Sequence, residues 1–169
     1  MYFDKFPQIV YSLDGGVSGF AVTDIFRRVK AETQRLLTAA AYDEYDIKDG
    51  ETPEILAHKF YNNADLHWII LIANDIIDPR WDWPLSQAQL RAYITDKYGS
   101  GHEYDTKYYV TNDDAALVVH SSYAGSKLPV TNTDYEEQVN DAKRTIKILK
   151  TQFLPNFIND FNEVLGNGN

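Results

Sequence analysis

The stretch from Tyr42 to Pro84 constrains this chain more than any other, because strand, helix and stop signals follow one another there without a gap. A short alternating run, Tyr45 and Ile47, ends at Asp49-Gly50, a tight-turn pair. Thr52 then stands where a helix N-cap belongs. Pro53 at the first helical position loses nothing by lacking an N–H, and Glu54 suits the positive first turn. Ile55, Leu56 and Phe60 recur at helical spacing until Asn62-Asn63 interrupts them. Asn63 can cap a second helix with Leu66, Ile69, Ile70 and Ala73 on one side, closed by Asn74-Asp75. Trp68, Leu71 and Ile72 make that helix apolar elsewhere too, so it must be covered all round, and the flanking helices of the same chain are expected to cover it.

This order of strand, helix, helix and extended segment resembles a LysM module. The residues that carry the resemblance are Tyr45-Asp46-Ile47-Lys48-Asp49-Gly50-Glu51-Thr52, Ile55-Leu56-Ala57-His58-Lys59-Phe60-Tyr61, and Asn74 after the second helix. The sequence departs from it at Ile76 to Pro84, a Pro- and Trp-rich run that stands in place of the closing strand. The sugar sites of LysM modules lie in the loops that correspond to Asp49–Pro53 and Asn74–Pro79. Here the second loop carries Ile76 and Ile77 and is followed by Trp81, side chains suited to packing against protein.

A chain of 169 residues has room for one domain, or for one small module with substantial extensions. Its 12 Tyr and 3 Trp exceed what such a core requires, and amphipathic aromatics are what partner-facing surfaces use. The absence of Cys excludes disulfides and thiol-bound metal and fits a reducing cytoplasm. The net charge of −9 is spread along the chain with no basic patch, which argues against nucleic acid. Asp4, Lys5 and Pro7 interrupt the N-terminus, so it reads neither as a signal peptide nor as a membrane span.

Residues 1–22 form an extended N-terminal arm rich in Tyr2, Phe3, Phe6, Ile9, Val10 and Tyr11, either an edge strand of the home domain or an aromatic element that docks on another subunit. A helix is expected over 23–41, with Ile25, Phe26, Val29, Leu36 and Leu37 on its apolar side and basic residues on a solvated face. The LysM-like module occupies 42–84. In 85–131, Ser86 to Gln89 has the form of a capping box opening a helix through Leu90, Tyr93, Ile94 and Tyr98 to Gly99. Tyr108-Tyr109-Val110 and Leu117-Val118-Val119 then read as a hairpin around Asn112-Asp113-Asp114. Gly125 and Pro129 mark 121–132 as a loop.

Residues 132–169 read as one long bent helix. Thr133 to Glu136 has the form of a second capping box, and Tyr135, Val139, Ala142, Ile146, Leu149 and Phe153 make a heptad stripe of about two and a half heptads. Pro155 should bend it, so that Phe157 and Phe161 meet a different surface from the first half. The fold class is therefore α+β and helix-dominated: a small LysM-like βααβ module with an extended arm, a β-hairpin and a long bent C-terminal helix.

Catalytic signals are thin. There is no Ser nucleophile motif, phosphate loop or dinucleotide fingerprint. His58, His67, His102 and His120 are scattered, Asp113-Asp114 suits a turn, and capping explains both Glu51 and Asp75, which alone could be imagined as a glycosidase carboxylate pair. The chain reads as non-enzymatic, without cofactor or metal.

A second resemblance covers most of the chain. Tyr2-Phe3-Asp4, Thr23-Asp24-Ile25-Phe26-Arg27, Leu66, Trp68, Leu71, Asn74-Asp75, Asp78-Pro79, Ile146-Lys147-Ile148 and Phe157-Ile158-Asn159-Asp160 carry it; residues 99–131 carry least. In these the sequence resembles the baseplate wedge protein with a LysM-like domain of T-even-type contractile-tailed phages. The resemblance implies a structural protein of the virion tail baseplate, made in the host cytoplasm. It would clamp wedge subunits together and help wedges close around the hub. Other wedge proteins, the sheath-initiating subunit and the neighbouring wedge would be its partners, with no nucleic acid and no membrane. The expected partner-facing residues are Tyr2, Phe3, Phe6, Tyr11, Ile76, Ile77, Trp81, Trp83, Phe157 and Phe161. Two rival readings are a peptidoglycan-binding LysM module, which the apolar second loop disfavours, and a tail-associated muralytic enzyme.

Overall fold

The computed structural model describes residues 6–12, 19–24, 41–115 and 117–166, with 164–166 described by their backbone only. The chain divides into two compact units, one of residues 1–45, 52–79 and 147–169 and one of 46–51 and 80–146. The class is α+β as expected. The helix expected over 23–41 falls, from residue 25 to 40, outside the described residues. Thr23 itself belongs to a strand rather than to a helix start.

In the first unit, β1 (Gln8–Tyr11) and β2 (Phe20–Thr23) form an antiparallel hairpin extended by Asp24 N–H donating to the Pro7 carbonyl. Strand β3 (Tyr42–Asp46) leads to α1 (Pro53–Tyr61) and, through a 3-10 turn at Ala64–Leu66, to α2 (His67–Ala73). Thr52 caps α1, its hydroxyl accepting from Ile55 N–H at 3.4 Å, and Asn62 ends it in the left-handed region at φ 54°, where Asn is tolerated. The buried face of α1 is Pro53, Leu56, Ala57 and Tyr61. Ile55 is half exposed, and Phe60 instead lies edge-on to Tyr45 with ring centroids 5.2 Å apart.

Ile69 and Ile70 of α2 are fully buried. The helix is covered on a second side as well: Trp68 and Ile72 pack on the buried pair Phe6 and Phe161, and Trp68 lies 4.5 Å from Phe161 and 6.1 Å from Phe157 between centroids. Phe157 and Phe161 sit with Leu154 on the inner side of α6 (Leu154–Gly166). Pro155 occupies the first turn of α6, where it has no N–H bond to break, so it starts a helix rather than bending one.

The partner of β3 is β7 (Thr145–Leu149). Bonds from Lys150 N–H to Ala41 and from Ile47 N–H to Arg144, at the two ends of the ladder, make the pair antiparallel. The second strand of the βααβ order thus comes from some seventy residues downstream of α2, not from Ile76–Pro84, where the short helix α3 (Pro79–Asp82) stands. Asn74 fixes the junction. Its Nδ2 donates to the Ile70 and Lys147 carbonyls, both at 2.8 Å, and its Oδ1 accepts from Lys147 N–H at 2.7 Å.

The second unit contains α4 (Gln87–Tyr98), the strands β4 (Thr106–Thr111), β5 (Val118–Val119) and β6 (Lys127–Thr131) in the order β5-β4-β6, and α5 (Asn132–Asp141). The Ser86 capping box and the stop at Gly99 (φ 90°) are as expected, with Leu90 and Ile94 buried. Tyr109 pairs with Val119 and Val110 with Val118, the expected hairpin. The expected loop at 121–132 holds a third strand instead. Pro129 is accommodated because β6 lies at the sheet edge, where a missing donor breaks no ladder.

The long C-terminal helix of the sequence reading is replaced by α5, β7 and α6. Thr145-Ile146-Lys147-Ile148-Leu149 alternates exposed and buried at 145–148, and its β-branched residues favour a strand over a continuing heptad. The capping box is also one turn-fraction earlier: Thr131 caps α5 with Asp134 three positions on, and Thr133 is not the cap.

Candidate docking surfaces

The hairpin register places Ile9 opposite Val22 and Tyr11 opposite Phe20, so these four share one face of the ribbon. Their exposures are 43%, 40%, 54% and 70%, which leaves a continuous apolar face in solvent. The other face carries Gln8, Val10, Ala21 and Thr23. No charged residue occurs in either strand, in a chain of which 24% is charged. Gly19 enters β2 so close to Val10 Cγ1 that no Cβ fits there without a shift. A two-stranded ribbon exposed on both faces is marginal by itself.

The second surface lies beside α5, which buries polar side chains. Its buried face is Asn132, Glu136 and Asn140, at helical spacing, while Val139 is 39% exposed. Each buried polar group is satisfied. Asn132 Nδ2 donates to the His102 carbonyl at 2.9 Å, and Asn140 accepts from Leu85 N–H at 2.7 Å and donates to the Leu85 carbonyl at 3.1 Å. Glu136 accepts from Tyr98 Oη at 2.6 Å and Lys97 Nζ at 2.9 Å, and Lys107 Nζ in turn donates to Tyr98 Oη at 2.7 Å. Burial pushes the Glu136 carboxyl up, but the Tyr98 hydroxyl and the Lys97 and Lys107 charges outweigh it and hold it below the usual carboxylate range. Beside α5 runs a groove of about 380 Å³ whose lining includes Trp81, Leu85, Leu90, Tyr93 and Val139 together with the charged Arg80, Glu136 and Lys143.

The structure divides the expected partner-facing residues. Tyr2 and Phe3 lie outside the described residues. Tyr11, Ile77 and Trp81 are exposed, at 54%, 72% and 66%, and Ile76 is half-buried. Phe6, Trp83, Phe157 and Phe161 are buried in their own unit. The cause is visible in each case: Phe6, Phe157 and Phe161 enclose Trp68, and Trp83 Nε1 donates to the Glu51 carbonyl at 2.9 Å. Sequence reasoning missed Phe20 and Val22, which only the hairpin register brings beside Ile9 and Tyr11. It also missed Val139, assigned to an inward stripe.

Among the described residues no group of three or more His, Cys, Asp or Glu side chains is arranged to hold a metal ion. Glu51 accepts from Lys48 N–H, Asp75 has φ 54°, and His102 and His120 bond to Asp105 and Ser122 next to them in sequence. Among the described residues no helix is long and apolar enough to cross a membrane.

The profile of the family described as "Base plate wedge protein 53" matches residues 1–116. The chain is 26% identical over 184 residues to "Baseplate wedge protein gp53" of Enterobacteria phage T4, an alignment covering 97% of this chain and 94% of that one. With more than half its length matched, the chain belongs to the base plate wedge protein 53 family and is a structural component of a phage tail baseplate wedge.

Proposed function

We propose that this protein is a non-enzymatic clamp that holds wedge subunits together and helps wedges close around the hub. Its partners are other wedge proteins, the sheath-initiating subunit and the neighbouring wedge, met after synthesis in the host cytoplasm. The strand–helix–helix core that resembles LysM serves as a rigid protein-binding body, not a sugar receptor. The observation that carries the reading is the uncharged hairpin face of Ile9, Tyr11, Phe20 and Val22, four large side chains left in water by their own unit. Exposed apolar patches of this kind mark interaction sites.

The test is the double variant Tyr11→Asp/Phe20→Asp. Both side chains are more than half exposed, so the melting temperature of the isolated protein should stay within about 2 °C, as for surface changes generally. Incorporation into wedges reconstituted from the cognate subunits should fall by at least about tenfold. A large fall in melting temperature with normal incorporation would assign the hairpin to the protein's own fold.

A further inference from the structure

We infer that the hairpin engages its partner by strand addition: the outer edge of β1 pairs, main chain to main chain, with an extended segment of another wedge protein. The inference rests on the reading of the hairpin as a docking element and adds the chemistry of what docks on it. Asp24 N–H donates to the Pro7 carbonyl, and the register runs on from there through Gln8↔Thr23 to Tyr11↔Phe20. Bonded and non-bonded pairs alternate in an antiparallel ladder. Ile9 and Tyr11 therefore bond to Val22 and Phe20, whereas Gln8 and Val10 turn their N–H and C=O groups outward. Among the described residues no hydrogen bond reaches those outward groups.

The described strands outside the hairpin all have their free edges closed by devices that keep strands from pairing. On β7, the Asn74 side chain takes both the N–H and the carbonyl of Lys147. Strand β6 presents Pro129, whose nitrogen faces outward: Asn112 N–H donates to the Ser126 carbonyl, which makes Tyr109↔Pro129 a non-bonded pair. Strand β5 is two residues long, and β3 carries Asp43, Glu44 and Asp46 in five residues. The hairpin has none of this: its strands hold no charge and no proline, and their register is unbroken. Of its two edges, β1 is exposed at all four positions, Val10 at 78%, while β2 ends in the half-buried Thr23. A ribbon of only two strands also lacks the third that gives such a unit stability.

The same geometry selects the occupant. A strand added to β1 lies beside Ile9 and Tyr11, in one row with Val22 and Phe20. Bulky apolar side chains at alternate positions extend that row, whereas a charge there would be desolvated without a partner. A second copy of the chain is disfavoured because each carries a net charge of −9. The partner segment is therefore an uncharged, alternating strand of a different protein, docked by its backbone and read by every second side chain.

The test removes one hydrogen-bond donor. Val10→Pro deletes an outward N–H and puts a ring on the edge, leaving the ladder bonds of Ile9 and Tyr11 in place and keeping Ile9 extended. Val10→Ala trims the side chain and keeps the donor. Free Val10→Pro should retain the Gln8–Thr23 Hα–Hα contact by NMR, which is short in a non-bonded pair. Its incorporation into wedges reconstituted from the cognate subunits should fall at least about tenfold, whereas Val10→Ala stays within about threefold of wild type. Normal incorporation of Val10→Pro, or an equal loss in Val10→Ala, overturns strand addition; Tyr11→Asp/Phe20→Asp then decides separately whether the hairpin docks through side chains alone. If proline disrupts the hairpin, amide exchange of the wild type within the wedge decides instead. Gln8 and Val10 should be protected as strongly as Ile9 and Tyr11, and Ala21 and Thr23 less than Phe20 and Val22. Alternating protection along β1 overturns the proposal, as does a wild-type dimer in sedimentation that Val10→Pro dissociates, which would assign the edge to a second copy.

Discussion

The two units differ in what they bury. The first is closed by hydrocarbon: Leu56, Ile69, Ile70, Leu149 and Phe157 are its largest fully buried side chains, gathered from α1, α2, β7 and α6. The second has an apolar interior as well, with Leu90, Ile94, Val110 and Ile146 buried, but it adds buried Asn132, Glu136, Asn140 and Thr111, each hydrogen-bonded to its own partner. The difference teaches where each kind of specificity lies. An apolar interior is stabilised in proportion to area and tolerates exchange of like for like. A buried polar set fixes one geometry, because each member left unpartnered costs about 1–3 kcal/mol.

The largest effect is expected from breaking the apolar interior. Phe157→Asp puts a carboxylate where a fully buried ring meets Trp68 and should destabilise the protein by about 4 kcal/mol or more, enough to unfold much of it at physiological temperature. Urea denaturation followed by circular dichroism checks this. A loss below about 1 kcal/mol would return Phe157 to the surface role that its place beyond Pro155 suggested.

A smaller effect belongs to the polar set. Glu136→Gln keeps the shape but removes the charge that Lys97 faces and Tyr98 donates to, and should cost about 1–3 kcal/mol near neutral pH. The sign with pH follows from the depressed carboxyl. Its contribution is fully present above the unfolded value of about 4.3 and is lost as pH falls through the lower folded value. Wild type should therefore lose stability below about pH 4.5 more steeply than the variant, and the two should converge in acid. Parallel stability curves from pH 7 to pH 3 would show that Glu136 is held by shape and not by charge.

The smallest effect sharpens the contrast from the other side. Among the described residues the buried Tyr61 hydroxyl has no partner at hydrogen-bond geometry; burial pushes its phenol above the ordinary range, which the nearby Leu149 backbone only partly offsets. Tyr61→Phe should thus be neutral or stabilising by up to about 1 kcal/mol in thermal melts. A clear loss would show that even the apolar unit depends on a buried polar contact.

What the sequence disclosed follows the same division. Where local chemistry decides, it was readable: Thr52-Pro53 starting α1, Asn74 closing α2, the Ser86 box, and the second covered side of α2 signalled by Trp68 and Ile72. Where tertiary partners decide, it misled. The α5 pattern points Val139 inward, because nothing in a helical period reveals that Glu136 has Tyr98 and Lys97 waiting for it. Ile146, Ile148 and Leu149 fit both a heptad and an alternating strand, and pairing with β3 selects the strand. The apolar hairpin face needed a register that the sequence does not state, since Phe20 becomes a neighbour of Tyr11 only through it.

Amide hydrogen exchange of the protein alone and within a reconstituted wedge tests the central claim most directly. The hairpin amides at 8–11 and 20–23 should exchange rapidly in the free protein and gain at least about tenfold protection in the wedge, while α2 and the first half of α6 are already protected and change little. Hairpin amides that exchange at the same rate in both states would contradict the account.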